Sequence, residues 1–215
     1  MKSSIRFWFL LACTAFLAGC GDDDERPVVE RQRPATEAAM LDTLEVNYKF
    51  RQGDLYAELL ADDFRFYFDP ITQEIENLPE FWDRTTDSTQ TAQLLGAEDL
   101  LGVKINLTFN ATPQDVPGKP RWQTITVGDP FLEIEIGPTD EFEEGVTLLV
   151  DGQVQKFFFR RGRTEADTLE ASPTADDLYM VEWRDMGHFF GSIRSGSRPL
   201  ALSTTWGGIK ARFSD

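Results

Sequence analysis

The fold is decided by the stretch Val103-Lys104-Ile105-Asn106-Leu107-Thr108-Phe109, in which apolar and polar residues alternate. A period of two is typical of a β-strand that is buried on one face. The apolar residues from about Ala35 to Gln52 recur instead at helical spacing. Because helices precede a run of long strands, we expect an α+β domain with its N-terminal helices packed on an antiparallel sheet.

Local signals place the other elements. Helices are expected at 35–52, 55–60 and 78–95, and a short strand with both faces covered at 64–68. Further strands are expected at 122–127, 131–136, 146–150, 154–160 and 178–184. The pair Asp151-Gly152 accepts the positive backbone angles of a type I′ turn and therefore predicts a hairpin between two of these strands.

The N-terminus has the features of an export signal. Lys2 and Arg6 precede an apolar run over 7–17, which is too short to span a bilayer. The ending Leu17-Ala18-Gly19-Cys20 resembles the bacterial lipobox, in which the thiol is alkylated by diacylglycerol before cleavage. We therefore predict a signal peptide over 1–19 and a lipoprotein anchored in the membrane by acyl chains, such as palmitate, on Cys20.

Residues 20–34 are acidic and punctuated by proline, and they predict a flexible tether ahead of a single domain over 35–215. The acidic run admits a second interpretation as a sorting signal. Because Gly21 and Asp22 do not meet the inner-membrane retention pattern, the outer membrane is the expected location within the cell envelope.

Composition excludes several classes of function. Removing Lys2 and Arg6 with the signal takes the net charge from −16 to about −18, which disfavours a nucleic-acid partner. Cys13 leaves with the signal and Cys20 is modified, so the domain has neither a disulfide nor a thiol nucleophile. With His188 as its one histidine and no recognisable motif for nucleotides or metals, we expect no metal and no cofactor.

Two segments carry a family resemblance. The stretch from Phe50 to Phe66 contains Gly53-Asp54 and then Leu60-Ala61-Asp62-Asp63-Phe64, and it resembles the opening of the nuclear-transport-factor-2-like (NTF2-like) superfamily. The strand from Tyr179 to Asp185, with Trp183 near its end, is similar to a late strand of that superfamily. The resemblance spans about 35 to 190, a wider interpretation adds the ending from Thr205 to Lys210, and it implies a strongly curved sheet that forms a cone with an open mouth.

The superfamily includes isomerases, dehydratases, small-ligand binders and interaction modules, so the resemblance does not give the function. In members that resemble ketosteroid isomerase, a carboxylate base works opposite a tyrosine in an apolar pocket. The candidate catalytic residues are Asp69, Glu182 and His188, and the candidate binding residues are Tyr48, Tyr67, Trp82 and Trp183. Their structural interpretations are a turn residue for Asp69, a local hydrogen bond for His188 and core packing for the aromatic residues.

Three functions follow as hypotheses. The first is a noncatalytic envelope lipoprotein whose cone binds a small ligand or an envelope protein; the second is an isomerase or dehydratase; the third is a homodimer formed through the sheet. The chain is expected not to be an enzyme. Five arginines would hold a carboxylate ligand if they lay inside the cone, namely Arg65, Arg84, Arg160, Arg161 and Arg184.

Overall fold

The computed structural model describes residues 33–107, 112–139, 143–150, 153–168, 176–188, 201–203, 205–211 and 213. The predicted signal, Cys20 and nearly all of the tether lie outside these residues, as does the side chain of His188. Arg33–Asp215 form one compact unit. Within the described part of the chain, no helix is long and apolar enough to cross a membrane.

Helices at both ends of the described chain flank the strands. They are α1 (Glu37–Lys49), α2 (Gly53–Glu58), α3 (Pro70–Glu76), α4 (Arg84–Gly96) and α5 (Trp206–Ala211). The side chains of Thr36, Asp69 and Asp83 accept backbone N–H bonds at the starts of α1, α3 and α4. These caps satisfy donors that a helix start leaves without an intrahelical partner.

The described residues form ten strands in two sheets. They are β1 (Leu60–Tyr67), β2 (Phe81–Asp83), β3 (Leu100–Asn106), β4 (Gln114–Asp115), β5 (Trp122–Gly128), β6 (Phe131–Ile136), β7 (Val146–Val150), β8 (Gln153–Arg161), β9 (Leu178–His188) and β10 (Ala201–Ser203). The strand orders are β2-β1-β9-β8-β5-β4 and β10-β7-β6-β3. The α+β class is confirmed, and the sheets are mixed rather than purely antiparallel because the pairs β1/β9 and β7/β10 are parallel.

A long ribbon connects the two sheets. Strand β5 pairs with β8 in the six-stranded sheet, and β6 pairs with β7 in the other sheet. Val150 therefore faces Leu132 and Val154 faces Gly128, so the hairpin predicted at Asp151-Gly152 is wrong. In the second sheet the antiparallel pairing of β6 with β7 extends to Ile136 and Val146.

Two further predictions need correction. Leu78–Trp82 does not start a helix, because Phe81–Asp83 form strand β2 and the helix begins after Asp83. Asp69-Pro70 does not simply close a strand, since aspartate at the N-cap and proline at the first position start helix α3. The second face of β1 is not covered at Arg65, which is exposed.

The main core lies between the helices and one face of the six-stranded sheet, which we call the inner face. The aromatic residues of this face include Phe64, Phe66, Phe157 and Trp183. The opposite, outer face carries a much smaller apolar cluster of Ala61, Phe158, Tyr179 and Val181. The inner face is therefore where the fold encloses side chains from several elements.

Candidate functional site

Asp69 acts as a helix cap. It is 4% exposed, and its Oδ2 accepts bonds from the Thr72 backbone nitrogen at 2.9 Å and the Thr72 hydroxyl at 3.1 Å. The Thr72 hydroxyl in turn lies 3.0 Å from that of Thr205. These contacts give the carboxylate a structural role at the start of α3.

Glu182 lies on the outer face of the six-stranded sheet. Its carboxylate accepts bonds from Lys119 Nζ at 3.3 Å and from Arg184 at 2.7 Å. This charged environment differs from the apolar pocket in which the resemblance places a catalytic carboxylate. The backbone of His188 ends β9, but its side chain lies outside the described part of the structure.

The candidate binding aromatics separate into three places. Tyr48 and Trp183 are both fully buried and flank Trp206 of α5, with ring centroids 5.6 Å and 4.9 Å away. Trp82 packs edge-on against Phe68. Tyr67 lies on the outer face. Only Tyr48 and Trp183 are brought together in the interior.

The interior contains an ion pair that sequence reasoning missed. Lys210 Nζ donates to Asp87 Oδ1 at 2.6 Å and to the Tyr56 hydroxyl at 3.3 Å, while the Tyr56 hydroxyl donates to Asp87 Oδ2. The ammonium also lies 4.5 Å from the Phe66 ring centroid and 4.7 Å from that of Trp183. We call Asp87, Tyr56, Phe66 and Trp183 the cation box.

Four elements supply the side chains of the cation box, and a fifth element, α5, supplies the ammonium group that they surround. Asp87 stands in the first turn of α4, where the helix dipole favours a carboxylate. Tyr56 comes from α2, Phe66 from β1 and Trp183 from β9. Lys210, in the last turn of α5, enters from a segment more than one hundred residues away in sequence. The side chains of Lys210 and Asp87 are both 0% exposed.

Burial keeps the tyrosines of the interior protonated. Burial raises the pKa of Tyr56 well above its usual value, and the charge of Asp87 raises it further. The pKa of Tyr48 is also raised by burial, although the charge of Lys210 opposes that rise. Both phenols therefore remain hydrogen-bond donors at neutral pH.

A second buried carboxylate fixes α5 to the sheet. Asp185 accepts bonds from Gln155 Nε2 at 3.0 Å and from the backbone nitrogen of Gly207 at 3.3 Å. Trp183 Nε1 donates to the carbonyl oxygen of the same glutamine at 2.5 Å. Together with the Lys210–Asp87 pair, this network connects α5 to both α4 and the inner face.

None of the five candidate arginines contributes to the cation box. Arg65 and Arg184 stack on aromatic rings of the outer face. Arg160 forms a two-pronged ion pair with Asp63 at 2.8 Å. Arg84 and Arg161 bond backbone carbonyls. The structure therefore places none of these five side chains against the cation box.

The described residues also form an acidic groove of ≈ 360 Å³ on the exposed side of the four-stranded sheet. Glu133, Glu135 and Glu144 line it, and Lys104 binds the first two of these carboxylates. Among the residues with described placement, no group of three or more histidine, cysteine, aspartate or glutamate side chains is arranged to hold a metal ion.

No protein-family model matches the chain, and no curated protein matches it significantly. Solved structures with a similar architecture include an NTF2-like protein of unknown function in nutrient uptake from Rhodospirillum rubrum (14% identity, TM-score 0.43, covering 68% of this chain and 93% of that chain). A second is an NTF2-like superfamily protein from Salmonella enterica serovar Typhimurium (8%, 0.44, 73% and 92%). A third, from Streptomyces avermitilis, is described as a candidate dehydratase of the NTF2-like family (11%, 0.42, 68% and 89%). These distant likenesses concern architecture and say nothing of activity.

Proposed function

We infer that the protein is a noncatalytic binding lipoprotein of the bacterial envelope, whose α+β domain takes a small ligand between its helices and the inner face. In this proposal the signal covers 1–19, Cys20 carries the acyl chains, and residues 20–34 join the outer membrane to the domain over 35–215. The anchor rests on the sequence Leu17-Ala18-Gly19-Cys20.

The observation that carries the binding function is the cation box. Its carboxylate, phenol and two aromatic rings surround one ammonium group, which is an arrangement suited to recognition. The buried carboxylates of Asp69, Asp87 and Asp185 are all engaged in hydrogen bonds. A general base must instead be available to a substrate proton. The arrangement therefore supports binding over catalysis.

Native mass spectrometry of the chain from Gly21 onward tests the binding function. The expected spectrum contains a small molecule bound one-to-one that is released when the protein unfolds. The chain is first incubated with an envelope extract of its own host and then purified. If its native and unfolded forms have the same mass after this step, the proposal is contradicted.

Metabolic labelling with an alkyne-tagged fatty acid tests the anchor. We expect label in the native chain and its loss in Cys20→Ala, because the Cys20 sulfur is the acylated atom. Cys13→Ala is the matched control, since its thiol lies inside the removed signal. Equal label in Cys20→Ala would refute lipidation at this position.

An isomerase or dehydratase is the second candidate. One observation favours it, namely that Asp87 lies beside the Tyr56 hydroxyl among aromatic rings. If the protein catalyses such a reaction with Asp87 as base, Asp87→Asn abolishes turnover and leaves substrate affinity within about tenfold. A parallel loss of affinity and turnover would assign Asp87 to binding instead.

A further inference from the structure

We propose that the cation box is a binding site for a primary ammonium ion on an apolar, aromatic body, and that Lys210 and Trp206 of α5 occupy it in place of that ligand. The inference rests on the proposed function and names its ligand class. Four observations carry it.

The first observation is the match between the box and its occupant. Lys210 Nζ has a carboxylate at 2.6 Å, a phenol oxygen at 3.3 Å, and the Phe66, Trp183 and Tyr56 rings with centroids at 4.5, 4.7 and 5.2 Å. Aromatic faces and a carboxylate are the groups that recognise an alkylammonium ion in a dry site. A guanidinium binds a carboxylate best through both oxygens, but Asp87 Oδ2 already accepts from the Tyr56 hydroxyl and leaves Oδ1 for a single donor.

The second observation is the apolar part of the same occupant. The Trp206 ring packs between Tyr48 and Trp183, and its Nε1 donates to the Tyr48 hydroxyl at 3.3 Å. Trp206 is 0% exposed. The space that Trp206 and Lys210 fill together is therefore shaped for an aromatic body with an ammonium group.

The third observation is that α5 is too short to be stable without its contacts to the interior. It has six residues, and two of them are Gly207 and Gly208. A helix this short is not stable alone, and each internal glycine costs about 1 kcal/mol relative to alanine. The helix is thus held by what it inserts into the interior, so a ligand that supplies the same groups competes with it directly.

The fourth observation concerns the choice of residues. An apolar pair of similar volume is often as stable as a buried ion pair, or more so, because each buried charge loses its hydration. Lys210 and Asp87 are both 0% exposed, so they carry this cost in full. Structural packing alone gives no advantage to the charged pair, whereas a site for an ammonium ligand requires Asp87.

The first arm of the test uses Lys210→Ala in the chain from Gly21 onward. The substitution removes three carbons and the ammonium group, which n-propylammonium restores. We expect 50 mM n-propylammonium chloride to raise the Tm of this variant by roughly 3 °C or more over equal sodium chloride. Asp87→Asn/Lys210→Ala is the matched control and should respond at least fivefold less. Equal responses would overturn the proposal.

The second arm uses the wild-type sequence and does not depend on any variant folding. Tryptamine carries both an indole and a primary ammonium, and indole-3-propionate carries the same ring with the opposite charge. We expect tryptamine to speed hydrogen exchange of the 206–211 amides at least threefold and indole-3-propionate to leave it unchanged. Unchanged exchange with tryptamine would show that Lys210 is a permanent structural cation and would overturn the proposal.

The outcome separates this inference from the proposed function. A co-purified ligand without an amino group would overturn the ammonium assignment and leave ligand binding supported. The absence of any ligand together with a positive response in both arms would support the box and contradict the broader function in that host extract.

Discussion

Both faces of strands β1 and β9 carry an ion pair beside aromatic rings, but the pair is fully buried on one face and partly exposed on the other. On the inner face, Lys210 and Asp87 meet among aromatic rings with both side chains 0% exposed. On the outer face, Arg184 binds Glu182 and stacks on Tyr67, with the arginine and glutamate side chains 42% and 11% exposed. Each face therefore combines a cation, a carboxylate and aromatic rings.

The difference lies in how each set is assembled and what it contributes. The outer set comes from adjacent register positions, since Glu182 faces Arg65 and Arg184 faces Tyr67. The inner set joins three helices to the sheet. When one partner of a buried ion pair is removed, the remaining charge has no water to solvate it. When one partner of a surface pair is removed, water solvates the remaining charge. The inner set thus connects helices and strands that are distant in sequence, whereas the outer set connects neighbouring strands of one sheet.

The largest effect is expected for Asp87→Ala. The change leaves the Lys210 ammonium buried without its carboxylate, and we expect the free energy of unfolding to fall by about 3–5 kcal/mol. Urea denaturation followed by circular dichroism measures it. The matched control is Asp87→Leu/Lys210→Met, which replaces both charges with apolar groups and should recover all but about 1 kcal/mol. A loss below about 1 kcal/mol in the single variant would contradict the buried pair.

Gly207→Ala tests how tightly α5 lies on the inner face. An added Cβ at this position would stand 2.4 Å from Phe68 Cδ1 and 3.3 Å from Phe66 Cε1, so the rings or the helix must shift. We expect a loss of about 1–3 kcal/mol in the free energy of unfolding. Gly96→Ala in α4 is the control, because its Cβ would meet nothing within 4 Å. Equal effects of the two substitutions would rule out the close approach of α5.

The sequence predicts the fold well where the local residue pattern alone determines the secondary structure of an element. The alternation at Val103-Lys104-Ile105 correctly gives β3, and the helical spacing before it correctly gives α1. Errors arise where a local signal permits two structures. Asp151-Gly152 is compatible with a turn, but β7 pairs with β6 and β8 pairs with β5, so the strands on either side of this dipeptide do not form a hairpin with each other.

The site was harder to predict because its members are far apart in sequence. Asp87 and Thr91 lie within the helix expected at 78–95, and both are buried, at the spacing of one helical turn and in line with Leu94. That polar stripe on a buried face was the available signal. Nothing local relates it to Lys210, which reaches the same place from 123 residues away.

The tyrosines of the interior give a pH test. Because burial raises the folded-state pKa of Tyr56 and Tyr48, only the unfolded chain loses these protons just above pH 10. Stability that is full below pH 10 should therefore fall as the pH rises, with a limiting slope of about 1.4 kcal/mol per pH unit for each tyrosine. Tyr56→Phe should flatten the slope between pH 10 and 11.5 in urea denaturation. An unchanged slope would mean that this phenol ionises freely in the folded protein.

The smallest effect is expected on the outer face, for Glu182→Gln. The carboxylate binds Arg184 at 2.7 Å and Lys119 at 3.3 Å, but both cations are nearly half exposed and regain water when the charge is removed. We expect the free energy of unfolding to change by less than about 1 kcal/mol, and the change to shrink further in 0.5 M sodium chloride. Asp87→Asn, measured alongside, should cost more and depend less on salt, because its partner is fully buried. If Glu182→Gln instead matched Asp87→Asn in size and salt response, the outer pair would be as shielded from solvent as the inner one, and the contrast between the two faces would fail.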